Sequence, residues 1–198
     1  MTMPKTLLEL AGADMTPAKI RNSCLVLIDL QNEYLEGPIA VDAAEPAVAE
    51  ASRMLQAARE SGAPVFHIAH KGRPGSLFDR DDKRGQIIAE LDPRPGEAVI
   101  EKQLPNAFAG TDLGALLQAT ARKDIVVCGF MTHMCVSSTA RAALDLGYRT
   151  TVAASACSTR DLPDGQGNVV PARTVHSVAI AELSDRFAVI AHDCDALL

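Results

Sequence analysis

The chain has 198 residues, of which 47% are apolar and 22% are charged, and this balance is typical of an ordinary globular protein. Disordered, collagen-like and low-complexity proteins are therefore excluded. The 19 basic and 25 acidic residues give a net charge of -6, and only 4% of the residues are aromatic. Without a basic field or stacking side chains, nucleic acid is not expected as a partner, whereas a small molecule is.

Cysteine content and hydropathy bear on where the protein works. The five cysteines are an odd number without a C-x-x-C pair, which is typical of neither a secreted disulfide framework nor a zinc ribbon. The expected compartment is therefore the reducing cytoplasm. No apolar run approaches the roughly 18 residues that a membrane span needs. Because Glu9 also interrupts the first apolar stretch, we expect neither membrane contact nor a signal peptide.

Short runs rich in Val and Ile alternate with longer Ala-rich segments, and this alternation predicts a parallel α/β sheet. Most of the short runs are apolar on both faces, as in strands that helices cover on both sides. Six strands are predicted, at residues 24–29, 64–69, 98–102, 124–130, 150–154 and 187–191.

The segments between these strands carry apolar residues at i, i+3, i+4 and i+7, which predicts crossover helices. The helices are expected at residues 44–61, 111–122, about 135–146 and 171–183. Neither an internal repeat nor a linker divides the sequence. We therefore predict one domain over residues 1–198, a doubly wound, Rossmann-like sheet of about six mostly parallel strands flanked by helices.

Two longer irregular stretches interrupt the pattern, at residues 71–96 and 158–168. The second contains the turn signal Pro163-Asp164-Gly165. Long loops on compact domains are often functional. We expect residues 71–85 either to cover a ligand site or to contact a neighbouring subunit.

Three polar residues stand at or just beyond the ends of predicted strands. Asp29 ends the first strand, Lys102 ends the third, and Cys135 follows the fourth at the start of a predicted helix. Ligands of doubly wound sheets bind outside the carboxyl ends of the strands, so a carboxylate, an ammonium and a thiol are expected to share one crevice. Each residue alone also has an ordinary explanation, as a loop cap, a solvated lysine or a buried thiol.

The predicted helix start at Cys135 also predicts the reactivity of this thiol. The macrodipole and the unpaired N–H groups at a helix N-terminus stabilise a thiolate, so the thiol pKa is expected to be lowered. A cysteine in this position is prepared to act as a nucleophile.

The segment 128–139 carries a G-x-x-T-x-x-C-V pattern that resembles the motif of the isochorismatase-like cysteine hydrolase superfamily, a group that includes nicotinamidases and other amidases. The residues of the pattern are Gly129, Thr132, Cys135 and Val136. Residues 25–34 (LVLIDLQNEY) are similar to the first strand of that family, and residues 99–113 (VIEKQLPNAFAGTDL) are similar to its lysine strand. The resemblance therefore extends over nearly the whole chain.

This resemblance implies that Asp29, Lys102 and Cys135 are a catalytic triad, the same residues that the strand ends indicate. It implies a cysteine-dependent hydrolase that cleaves the C–N bond of a small amide through a thioester. It also implies a cis peptide bond between Phe130 and Met131, which would direct the N–H groups of Met131 and Cys135 at an oxyanion. A homodimer or homotetramer is the assembly that the family implies.

Two other functions stay open at this point. Some family members cleave the vinyl ether of isochorismate and need no cysteine nucleophile, so Cys135 favours acyl transfer over that reaction. A non-catalytic protein that kept the fold to bind a small molecule is the second alternative.

No cofactor is implied, because the sequence lacks the usual dinucleotide, P-loop and serine-hydrolase motifs. Nicotinamidases resemble one another in a metal site built from an Asp-x-His element and a further His, whereas no histidine precedes His67 here. His67 and His70 lie three apart, which directs their side chains to opposite faces of a continuing strand. We therefore predict no metal and disfavour nicotinamidase.

Position along the chain also indicates which residues could contact a substrate. They follow the predicted base or lysine, or they surround the thiol of the motif, and their mixture of types favours a small, partly apolar amide. These candidates are Tyr34, Asn106, Phe108, Phe130, Thr132 and His133.

Overall fold

Six parallel strands form the central sheet of the computed structural model, which describes residues 3–198. In chain order, the strands of this sheet are β1 (Cys24–Ile28), β2 (Val65–His70), β3 (Ala98–Lys102), β4 (Asp124–Phe130), β5 (Arg149–Ser158) and β8 (Val189–Ala191). Two short strands, β6 (Leu162–Pro163) and β7 (Val169–Val170), form a separate sheet. The order across the large sheet is β3-β2-β1-β4-β5-β8, and every neighbouring pair is parallel. The predicted doubly wound sheet is confirmed, and its switch point lies between β1 and β4.

Helices connect these strands. They are α1 (Leu7–Leu10), α2 (Glu33–Glu36), α3 (Ala44–Ser61), α4 (Leu113–Ala119), α5 (Ser137–Asp145) and α6 (Ala172–Arg186), with short 3₁₀ turns at Ile20–Asn22, Lys83–Gly85 and Ala89–Leu91. The long α3 has the predicted bounds, buries Met54 and Leu55 completely, and ends at Gly62 in the left-handed conformation that suits a helix C-terminus. Helix α5 begins later than predicted, because a π-helical turn occupies Thr132–Val136.

Strand β5 continues four residues beyond its predicted end at Ala154. Residues 154–158 are small and carry little strand propensity, so their sequence did not signal a strand. Pairing with β4 extends the strand, since Gly129 lies opposite Cys157 and Phe130 lies opposite Ser158.

Residues 158–168, predicted to be irregular, contain most of a small antiparallel hairpin formed by β6 and β7. The carboxylate of Asp164 closes its turn by accepting hydrogen bonds from the backbone N–H of Gln166 at 2.7 Å and of Asn168 at 3.0 Å. The segment is therefore more regular than predicted. The cause is local, because an Asp side chain can accept the hydrogen bonds of the turn's backbone N–H groups without any long-range sequence pattern.

The core of the described residues is built on β1, all five residues of which are buried. The five cysteines are free and buried, as the absence of a disulfide framework predicts. Among residues 3–198, no helix combines the length and the apolar character needed to cross a membrane.

The glycine of the motif has a steric role in this fold. Gly129 lies at an irregularity in the pairing of β4 with β5 and has a φ of +124°. A Cβ at this position would overlap the carbonyl oxygen of Ile28 in the neighbouring β1. Only glycine lets the two strands approach at the point where their ends form the crevice.

We expect Gly129→Ala to lower the free energy of unfolding by about 3 kcal/mol or more, because backbone strain and steric overlap add at this residue. Urea unfolding at equilibrium measures the effect. Gly165→Ala is the matched control, since Gly165 also has a positive φ of 77° but open space around its Cβ position. A similar loss of stability in both variants would contradict the steric argument.

Candidate active site

Asp29 follows β1 directly and turns the chain away from the sheet. Its φ is +50°, a left-handed conformation that Asp adopts more readily than most residues. The backbone N–H of Asp29 donates to the Ile68 carbonyl at 2.9 Å, and its carbonyl accepts from the N–H of Gln31 at 2.8 Å. These bonds hold a carboxylate with no solvent exposure at the carboxyl end of β1.

Lys102 ends β3, two strands away from β1 in the sheet. Neighbouring strands lie about 4.8 Å apart, so β3 and β1 are separated by roughly 10 Å. Only a long side chain can cross this distance. The ammonium Nζ lies 2.7 Å from Asp29 Oδ2, and neither side chain is exposed to solvent. A buried ion pair of this kind is costly to break, because removal of one partner leaves an uncompensated charge.

Cys135 approaches from the other side of the switch point. It lies in the π-helical turn Thr132–Val136 between β4 and α5, and only 3% of its surface is exposed. Lys102 Nζ donates to Cys135 Sγ over 3.3 Å. The predicted convergence of Asp29, Lys102 and Cys135 is confirmed as geometry.

His70 joins the same cluster. Its Nδ1 lies 3.2 Å from Lys102 Nζ, and its ring packs against Phe78 with 4.9 Å between the ring centroids. The sequence had indicated only that His70 points away from His67. The signal that could have found this contact is the strand pairing, because His70 lies directly opposite Lys102.

Ligand atoms of Asp29, His70 and Cys135 lie within 4.8 Å of one another, close enough in principle to hold a metal ion. However, the ammonium of Lys102 already contacts all three groups. A metal would have to displace this ammonium, so the cation that fits the cluster is the lysine itself. His67 points elsewhere, with Nε2 2.9 Å from a carboxylate oxygen of Glu97.

Comparison with known proteins identifies the family of this chain. The sequence matches the isochorismatase domain over residues 23–192. The chain belongs to the isochorismatase family of hydrolases. It is 36% identical over 185 residues to a secreted isochorismatase effector of Verticillium dahliae, an alignment that covers 93% of this chain and 95% of that protein.

Solved structures of the isochorismatase family share the fold. An isochorismatase from Pseudomonas putida superposes with a TM-score of 0.95 at 43% identity and covers 99% of this chain and 100% of its own. An N-carbamoylsarcosine amidase from Thermoplasma acidophilum superposes with a TM-score of 0.73 at 26% identity, covering 85% of this chain and 95% of its own.

The electrostatics of the cluster differ from the prediction. Burial, followed by the negative charge of Asp29, raises the pKa of the Cys135 thiol to about 12, although Lys102 opposes the shift. The predicted lowering of this pKa is therefore wrong. Its physical reason is the π-helical turn, which places Cys135 before α5 in a desolvated position rather than at an exposed helix N-terminus.

The cis peptide bond between Phe130 and Met131 is present, as the family resemblance implies. Both residues are buried, with Phe130 completely inaccessible. The oxyanion role of the Met131 and Cys135 N–H groups stays a prediction.

Two of the predicted substrate contacts, Tyr34 and Phe130, pack against each other in the interior. Tyr34 is buried, and its ring packs edge-on against Phe130 with 5.6 Å between centroids. Burial, together with the charges of Asp29 and Cys135, raises the pKa of the Tyr34 hydroxyl far above its ordinary value, which indicates that this tyrosine stays neutral beside the cluster.

The other predicted substrate contacts are engaged within the fold. The Thr132 hydroxyl lies 2.9 Å from His176 Nδ1, and His133 Nδ1 lies 2.7 Å from the Thr159 hydroxyl. Two further predicted contacts are likewise occupied, as the Oδ1 of Asn106 accepts from the backbone N–H of Phe108 at 2.9 Å and the Phe108 ring stacks on Tyr148 at 6.1 Å. Their role toward substrate stays a prediction.

The loop 71–85 is fastened to the residues that follow β1. The side-chain amide of Gln31 donates to the carbonyls of His70 at 3.0 Å and Gly85 at 2.7 Å, and Glu33 accepts from the Phe78 N–H at 3.4 Å. Phe78 is itself buried and contacts Tyr34 as well as His70. Within this chain, the loop therefore packs over one side of the cluster.

A cavity of about 410 Å³ adjoins the lysine of this site. It is lined by Lys71, Glu101, Lys102, Gln103, Leu104, Ala109 and Gly110. Neither Asp29 nor Cys135 lines this cavity, and the side chain of Lys102 has no solvent exposure.

We expect Lys102→Met to lower the free energy of unfolding by about 3–5 kcal/mol, because it leaves the buried Asp29 carboxylate without its cation. The double variant Asp29→Asn with Lys102→Met removes both charges and is expected to recover much of that loss. Urea unfolding of the two single variants and the double variant gives the coupling. Purely additive changes would contradict a buried ion pair that contributes as a unit.

Proposed function

We propose that this chain is an amidase that hydrolyses the C–N bond of a small amide through a thioester on Cys135. The observation that carries the proposal is the shared ammonium of Lys102, 2.7 Å from Asp29 Oδ2 and 3.3 Å from Cys135 Sγ in a desolvated cluster. Similarity to an N-carbamoylsarcosine amidase supports the choice of an amide within the family.

The raised thiol pKa gives Asp29 its role in this proposal. With a pKa of about 12, the Cys135 thiol rests in its neutral form at pH 7 and needs a base when it attacks. Asp29 accepts the thiol proton while the sulfur forms a bond to the amide carbon. The carbonyl electron pair moves to the oxygen, where the N–H groups of Met131 and Cys135 would stabilise it.

Collapse of the tetrahedral intermediate completes the acylation. Asp29 returns the proton to the nitrogen as the C–N bond breaks, so ammonia or an amine leaves and a thioester remains. Asp29 then accepts a proton from water as the water oxygen attacks the thioester carbon. The C–S bond breaks, the acid is released, and the proton returns to the sulfur. Lys102 keeps its positive charge throughout and balances the anion that forms at each stage.

Cys135→Ala is expected to abolish amide hydrolysis, because no other group in the cluster can form the thioester. Ammonia release from a panel of primary amides, followed with a coupled assay, measures the effect. Cys24→Ala is the matched control: this buried thiol lies at the opposite end of β1 and contacts Thr120, so the variant should keep its activity. Turnover that survives Cys135→Ala on a vinyl ether would favour the isochorismatase-type reaction, and no turnover on either class would favour a binding protein.

Asp29→Asn is expected to separate two properties of the site. The negative charge of Asp29 is one cause of the raised thiol pKa, so its removal should lower that pKa and speed alkylation of Cys135 by iodoacetamide at pH 8. Hydrolysis should fall by roughly 10²–10⁴-fold, because the proton acceptor is lost. A parallel fall in alkylation and turnover would contradict the role of Asp29 as the base.

A further inference from the structure

The ammonium of Lys102 has a third polar neighbour besides Asp29 and Cys135, with which the proposed reaction pairs it. An ammonium carries three N–H donors and no acceptor. Asp29 Oδ2 forms an ion pair with this nitrogen at 2.7 Å, Cys135 Sγ accepts a hydrogen bond from it, and His70 Nδ1 lies 3.2 Å from it. The three acceptors come from different segments, since His70 ends β2, whereas the others follow β1 and β4.

We propose that His70 is a positioning residue, whose Nδ1 accepts a hydrogen bond from the Lys102 ammonium and holds that ammonium against Asp29 and Cys135. The proposal rests on the proposed function for its effect on catalysis. The hydrogen bond itself does not depend on which substrate is cleaved.

The donor character of the lysine fixes the state of the imidazole. Because the ammonium can only donate, Nδ1 must be without a proton, and a neutral ring then carries its proton on Nε2. Burial and the positive charge of Lys102 lower the pKa of His70, which is consistent with a neutral ring beside the cation. The facing charged and titratable groups are Lys102, Asp29 and Cys135.

The surroundings of His70 keep the ring in this orientation. Its backbone N–H donates to the side-chain oxygen of Gln31 at 2.8 Å, and its carbonyl accepts from the same side chain at 3.0 Å. The ring packs against Phe78 of the loop 71–85. Strand pairing places His70 next to Lys102, so a short bond between the two side chains needs no large movement of either.

Loss of this acceptor would leave one ammonium hydrogen unpaired in a desolvated site. A buried donor without a partner is costly, so the ammonium would turn or withdraw toward another acceptor. The thiolate of Cys135 would then lose part of the positive charge that stabilises it. The effect should appear in the reactivity of the thiol, even when no substrate is present.

A matched pair of variants tests this role. In His70→Asn, the side-chain oxygen can take the place of Nδ1, whereas His70→Leu has a volume close to that of the imidazole but no acceptor. The rate constant for alkylation of Cys135 by iodoacetamide at pH 8 should stay within about threefold of the wild type in His70→Asn and fall about tenfold or more in His70→Leu, as expected for one lost hydrogen bond to a charged group. Equal rates in His70→Leu and the wild type, or equal losses in both variants, would overturn the proposal.

A second measurement observes the wild-type imidazole directly and needs only His70→Asn, for assignment. In protein labelled with ¹⁵N-histidine, Nδ1 of His70 should give the resonance of an unprotonated ring nitrogen at pH 8, assigned by its absence from His70→Asn. A protonated Nδ1 would overturn the proposal. Neither measurement requires an amide substrate, so failure of the amidase assay and failure of the His70 assignment are distinguishable.

Where a hydrolysed amide is found, the same pair separates positioning from substrate binding. His70→Leu should lower kcat about tenfold or more with little change in KM, and His70→Asn should restore most of kcat. A change confined to KM would identify His70 as a substrate contact and contradict the proposed role.

Discussion

The site depends on one buried cation. Asp29 has no exposure to solvent, and Cys135 would carry a second negative charge whenever it becomes a thiolate. Neither anion is stable in such a desolvated place without a partner. The ammonium of Lys102 contacts both groups, so the arrangement of the crevice follows from the need to bring this single charge to the carboxyl ends of β1 and β4. A lysine on β3 meets that need because its side chain is long enough to reach across β2.

The sequence could predict that Asp29, Lys102 and Cys135 converge, because their placement depends on features that sequence records well. The continuous apolar run of β1 ends just before Asp29, and the shorter, alternating run of β3 ends at Lys102. The spacing after β4 marks Cys135. The thiol pKa could not be predicted in the same way, since the π-helical turn and the burial of Cys135 arise only when the loop, α5 and the sheet pack together. Burial then outweighs the helix N-terminus that the sequence had indicated.

The surroundings of the triad depend on contacts that lie far apart in sequence. His70 meets Lys102 through the pairing of β2 with β3, and that register cannot be derived from either strand alone. The spacing of His67 and His70 did predict that the two rings point apart, and they contact Glu97 and Lys102, respectively. Closeness in sequence can also mislead. Phe108 follows Lys102 closely along the chain, but its ring stacks on Tyr148.

Burial of the cluster also explains how a poorly acidic thiol fits the proposed nucleophile. A thiol with a pKa of about 12 reacts slowly while the site is empty, since little thiolate forms at neutral pH. Asp29 and the thiol lie within 4.8 Å, so proton transfer can accompany attack instead of preceding it. In a medium of low dielectric constant, the charge that develops on the substrate interacts strongly with the fixed ammonium. The same desolvation that suppresses the free thiolate therefore strengthens the stabilisation of the transition state.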